Sequence, residues 1–230
     1  MVDFATSRSP DAEPLSAVAS FLAARRLVYL FLARAFSGEP DAEWIRAIRF
    51  EGLLDSLPFE NVSEEFLRGR TLLLRGSDEP GEELRSDFTR LLIGPGPLPA
   101  APWESVVRGE ERLTFGEETS AVRAFYRRHG FELERLGREP DDHVAIELEF
   151  MGRLASASLR DLEEDPGGLG PGLAAQLEFL EDHLLRWAPK FSEDLAKNAA
   201  TDFYRGLALI LSEFLVYDAR ALSEIIHEAS

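Results

Sequence analysis

The stretch that most constrains this chain is residues 139–151, E-P-D-D-H-V-A-I-E-L-E-F-M. Placed on a helix at about 100° per residue, Val144, Ile146, Leu148, Phe150, Met151, Leu154 and Ala155 cover a broad apolar arc. His143 and Glu147 fall inside that arc. Only Ala145, Glu149, Gly152 and Arg153 form the opposite side, where Glu149 and Arg153 are spaced i,i+4 for an exposed ion pair. A helix this apolar has to be buried among other elements, and it carries two ionisable groups inward. Burial of such groups costs several kcal/mol unless they are paired or hydrogen-bonded, so the rest of the chain must supply partners.

Pro140, a favoured first-turn residue, opens this helix, and the pattern carries it to about residue 162. The other segments read the same way. Residues 15–36 are apolar on most sides, with Gly38 as a stop. Asp41 caps a short helix to Phe50, Ser63 opens another that ends at Gly76, and residues 82–92 space Leu84, Phe88, Leu91 and Leu92 for one face. Residues 117–129 form a helix ended by Gly130, and further helices cover 173–187, 192–199 and 203–227. Between them, 93–114 holds Pro95, Pro97, Pro99 and Pro102 with Gly94, Gly96 and Gly109, a density that neither helix nor central strand survives. Trp103 within this loop argues that it is docked, because an indole needs a wall. Residues 165–172, D-P-G-G-L-G-P-G, form the clearest break and a candidate hinge. No period-2 strand, internal repeat or heptad run is visible. The expected fold is all-α: roughly nine helices in one domain over 14–230, after a loose segment 1–13.

Composition narrows function. Lys and Arg number 25 against 42 Asp and Glu, a net charge of −17 that repels nucleic acid and anionic lipid and attracts cationic partners. No cysteine is present, which removes disulfides, thiolate nucleophiles and cysteine-held metal sites. No uninterrupted apolar run approaches the roughly 18 residues of a membrane span, so stable membrane insertion is not expected. Arg25-Arg26 followed by seven apolar residues imitates a twin-arginine export signal. The short run and the acidic Asp11 and Glu13 before it argue against one.

Phosphate loops, dinucleotide fingerprints and hydrolase elbows are missing from the sequence. His143 and Glu147 at i,i+4 could offer two metal ligands, and Glu224 with His227 supplies a single Glu-x-x-His where a di-iron bundle needs two. Three readings of Asp142, His143 and Glu147 follow. His143 and Glu147 satisfy each other inside the fold; or they serve a small α-helical metallohydrolase with a third ligand; or the group faces a groove and holds a peptide by charge-assisted hydrogen bonds. The expectation is that no metal or cofactor is bound.

Five ordered motifs, spanning about residues 88–215 and so more than half the chain, resemble the TorD/DmsD-type redox enzyme maturation chaperones. Residues 88–95, F-T-R-L-L-I-G-P, are similar to that family's aromatic-x-x-L-F-x-G-P, and 102–106 to its P-W-E-S-V loop. Residues 139–143 match its E-P-x-D-H signature. His183, Leu184, Trp187, Pro189 and Phe191 resemble H-L-x-x-W-x-P-x-F, and 203–207 resemble F-Y-x-G-L. Leu92 departs from a usual Phe, and Val107 from a common Tyr.

The resemblance implies a cytoplasmic, non-enzymatic all-α chaperone. It would bind the twin-arginine leader and precursor of a molybdenum-containing oxidoreductase, delaying export until cofactor insertion. Exchange of helices about the break at 165–172 would give a domain-swapped dimer, so the expected state is a monomer or such a dimer. The expected peptide site is Phe88, Leu91, Leu92, Trp103, Glu104, Ser105, Asp142 and His143, supported by Pro140 and Glu147.

Overall fold

Where the chain has cap residues, it starts helices. In the computed structural model, which describes residues 12–55, 62–110, 113–132, 140–164 and 168–228, the Asp41 carboxylate accepts the Trp44 amide (2.8 Å) and starts α2 (Ala42–Phe50). The Ser63 hydroxyl accepts the Phe66 amide (3.0 Å) and starts α3 (Glu64–Gly76). Each satisfies a backbone donor that the first helical turn leaves free. The remaining elements are α1 (Ala12–Ser37), α4 (Gly81–Phe88), α5 (Glu104–Arg108), α6 (Glu117–Arg128), α7 (Val144–Glu164), α8 (Leu169–Phe179), α9 (Leu185–Asn198) and α10 (Asp202–Glu228). A π turn, Thr89–Ile93, continues α4, and another, Leu180–Leu184, joins α8 to α9 into one rod. Counting that rod once, nine helical rods and no strands are present among the described residues, so the all-α expectation holds.

Two long pairs organise the core: α1 lies along α7, and α10 lies along α3. The second pair touches backbone to backbone. A Cβ on Gly206 would stand 2.6 Å from the Gly69 carbonyl oxygen and 2.5 Å from the Leu73 nitrogen, so only glycine permits this crossing. Trp187, Phe191, Phe203 and Phe214 are fully buried in one apolar cluster that runs from Leu22 to Leu222. Asp87, at the end of α4, accepts the Ala200 and Thr201 amides (2.9 Å each) and so anchors the start of α10.

Several local expectations change. Residues 140–143 are a turn, not the first turn of α7, because their backbone is used elsewhere. The α5 helix lies inside the stretch read as irregular. Pro189 sits within α9 rather than between two helices. The break at 165–172 is shorter than read: 165–167 lie outside the described residues, and Leu169, Gly170, Pro171 and Gly172 open α8. Residues 1–11 and Glu139 also lie outside them, while Ala12 and Glu13 are already helical.

Ser16–Ser37, within α1, is long and apolar enough to cross a membrane by length and composition. Uninterrupted runs understated it, because dispersed polar residues break each run without lowering the average far. In this fold the segment contains Arg25, wholly buried. Its guanidinium donates Nη2 to Asp218 Oδ2 (2.9 Å) and Nη1 to Gln176 Oε1 (2.6 Å). Tyr29 donates its hydroxyl to the same Asp218 oxygen (2.6 Å). The arginine pair that imitates an export signal thus contributes one strut of the core.

Candidate functional site

Trp103 precedes α5 but offers it no side-chain cap. Asp142, from the turn before α7, does so instead: its Oδ2 accepts the Ser105 amide (2.7 Å) and its Oδ1 the Thr119 hydroxyl of α6 (2.8 Å). The backbones pair at the same place. Glu104 donates its amide to the Asp142 carbonyl (3.0 Å) and Val144 to that of Pro102 (2.8 Å), forming an isolated antiparallel bridge between Trp103 and His143. The P-W-E-S and P-D-D-H segments, 37 positions apart at Ser105 and Asp142, are therefore one joint.

Glu104 is fully buried in this joint, ion-paired with Arg108 and with Oε2 2.9 Å from Nδ1 of His183. The π turn at Leu180–Leu184 carries His183 to that position. One helical turn later, Trp187 donates its indole N–H to Glu147 Oε2 (3.1 Å). Glu147 is thus the partner of Trp187, not of His143. Burial, and then the nearby charge of Glu104, push its pKa well above the ordinary carboxylate value. His143 accepts the Ala145 amide on Nδ1 (3.1 Å) and meets the Trp103 ring edge-on at 5.6 Å. Burial lowers its pKa to about 4. Because His143 and Glu147 face different partners, and no group of three His, Cys, Asp or Glu side chains converges among the described residues, the metallohydrolase reading gains no support.

Polar satisfaction at the joint is incomplete. Trp103 Nε1, Ser105 Oγ, Asp141 Oδ1 and Glu147 Oε1 are buried without a hydrogen-bond partner, each an unfavourable state worth about 1–3 kcal/mol. Beside them opens a groove of about 1010 Å³, lined by Ile93, Leu98, Pro99, Ala101, Trp103, Val106 and Leu113, with Lys190 and Asp194 of α9 at one side. Ile93 and Leu113 are among the most exposed large apolar side chains described.

The structure brings Trp103, Glu104, Ser105, Asp142 and His143 together, with Pro140 buried behind them. Glu104, Ser105 and Asp142 face inward and are almost fully buried, so they build the joint rather than line the groove. Phe88, Leu91 and Leu92, expected as the groove's apolar wall, are packed into the core. The π turn leaves the next residue, Ile93, as the one that faces out. Reading the stretch as plain α-helix could not reveal that rotation. His183, Trp187 and Arg108 were missed as members of the joint. The i,i+4 spacing of His183 and Trp187, which puts them on one face, was the available signal.

An all-α fold with a single capped joint beside an apolar groove describes the architecture, and comparison with known proteins assigns it. Residues 59–193, more than half the chain, match the family model "Nitrate reductase delta subunit". The chain belongs to that family. It is 32% identical over 146 residues to the chaperone protein TorD of Vibrio cholerae, covering 64% of this chain and 65% of that one. It is 33% identical over 129 residues to the "Probable Tat proofreading chaperone DmsD" of Haemophilus influenzae, covering 56% and 57%. The chain thus spans just under two thirds of the length of the first of these relatives. The TorD protein of Aliivibrio fischeri matches over 91% of this chain and 99% of its own at 25% identity. A redox enzyme maturation protein from Archaeoglobus fulgidus shares the fold, with a TM-score of 0.52 over 84% of this chain and 93% of its own at 19% identity. The resemblance to TorD/DmsD-type chaperones read from the motifs is borne out.

Proposed function

We propose that this protein is a cytoplasmic chaperone that binds the twin-arginine leader of a molybdenum-containing oxidoreductase and delays its export until the cofactor is in place. The observation that carries this reading is the groove: exposed apolar side chains and an indole with an unpaired N–H, on a protein of net charge −17. A twin-arginine leader combines a cationic head with an apolar segment. The apolar segment supplies most of the affinity, at about 1.5–3 kcal/mol per large side chain buried. The arginines supply orientation and a faster encounter, since an exposed ion pair contributes only about 0.2–1 kcal/mol. The names of the curated relatives agree with this assignment.

Calorimetry with a synthetic twin-arginine leader tests it. The parent binds, and Trp103→Ala weakens binding about tenfold or more. Raising the salt concentration slows association more than it weakens the complex. A parent protein that gives no heat with the leader, while remaining folded, contradicts the proposal.

A further inference from the structure

Phe115 has a backbone φ of 66°, in the left-handed region, and is the one non-glycine residue there among the described residues. A bulky L-residue in this conformation crowds its own carbonyl. Burial does not explain it: Phe115 is 54% exposed, and Leu113, two positions earlier, is 61% exposed. Such strain persists only where surrounding structure over-determines it, and the joint does this. Asp142 grips both ends of the connection between α5 and α6, through the Ser105 amide and the Thr119 hydroxyl. A Cβ on Gly116 would lie 3.4 Å from Cβ of Ser105, in ordinary contact with α5. Leu113 and Thr114, immediately before Phe115, line the groove. The fold therefore holds a strained residue next in the chain to the groove's lining, and that residue carries an exposed aromatic ring.

Resting on the leader-binding reading, we infer that Phe115 is a hydrophobic reader of the client peptide. Its ring, with Leu113, covers the apolar segment of a leader that lies against Trp103 and Ile93. Asp142 is then a positioning residue, acting on the peptide through the turn it holds rather than by touching it. The occupant is an apolar peptide with a cationic head because the acidic surface repels acidic peptides and nucleic acid.

The test compares binding and thermal melting in Phe115→Gly and Phe115→Asn, both of which tolerate the left-handed conformation. With the synthetic twin-arginine leader, each variant binds about tenfold more weakly, the effect of losing one partly buried aromatic contact. Each melts at the parent's temperature or above it, because strain is relieved. The penalty disappears when the leader's apolar segment is replaced by serine and glycine, since the two changes then remove the same contact. If Phe115→Gly binds like the parent while Trp103→Ala does not, the inference fails and the leader-binding reading stands. If the variants melt below the parent, Phe115 is a packing residue and the inference also fails. If the parent does not bind the leader, both fall together.

Discussion

Two of the polar networks buried among the described residues are built to different standards. Around Arg25 every group has a partner: Asp218 accepts from Arg25 and Tyr29, and Gln176 accepts from Arg25 while donating to Ser158 (2.8 Å) and to the Gly172 carbonyl (3.0 Å). It ties α1, α7, α8 and α10 together, and none of its polar atoms is left unpaired among the described residues. The joint between α5 and α7 gathers Glu104, Asp141, Asp142 and Glu147 and leaves four polar atoms there unpaired. A fully satisfied network specifies one packing, whereas a partly satisfied one costs stability where it stands. The joint borders an open apolar groove.

The largest expected effect breaks the satisfied network. Arg25→Met leaves the Asp218 carboxylate buried without its counter-charge, held only by the Tyr29 hydroxyl, and should destabilise by about 3–5 kcal/mol. Adding Asp218→Leu should recover a large part of that loss, because two apolar groups replace two charges. Denaturant unfolding of the single and double variants measures both. A single variant as stable as the parent would show that this network is not what holds the four helices together.

The next effect lies at the joint and depends on pH. His143 titrates near 4 in the fold against about 6.5 when unfolded. The unfolded chain therefore binds more protons between those values, and stability falls as pH drops from about 6.5 to about 4. The loss should be about 1–3 kcal/mol, and His143→Gln should flatten that limb of a melting-temperature profile. Protonating Nδ1 also removes the acceptor used by the Ala145 amide.

Glu147 runs the other way. Its raised pKa means that the folded state holds a proton more tightly than the unfolded one, so its contribution is full below the unfolded value and declines as pH rises. Glu147→Gln keeps an acceptor for Trp187 without the charge. It should match the parent near pH 4 and exceed it increasingly toward pH 8, by about 1 kcal/mol or more. A difference that does not change with pH would show that Glu147 is not held protonated by its surroundings.

Much of the fold was legible because helix periodicity and capping are local. Asp41, Ser63 and Gly130 end or start helices where the residues say they should. The exposed Glu149 and Arg153 pair also forms as spaced, at 2.7 Å. The motifs brought Trp103, Asp142 and His143 to one place, but their partners were set by tertiary contacts that spacing along one helix cannot show. His143 and Glu147 are neighbours on a helical wheel only if His143 itself lies within α7. Asp142 spends its backbone and carboxylate on α5 instead, so the helix begins at Val144 and the two side chains part. The buried positions of Phe88, Leu91 and Leu92 were hidden for a related reason. A π turn shifts which side of the helix faces out, and no residue in 89–93 announces it.

Hydrogen–deuterium exchange of the whole protein, with and without the synthetic twin-arginine leader, tests the central distinction most directly. The leader should slow exchange in residues 93–106 and 113–116, around the groove, and leave the segments that hold Arg25, Gln176 and Asp218 unchanged. Protection centred on the Arg25 network, with none around Trp103, would contradict the account.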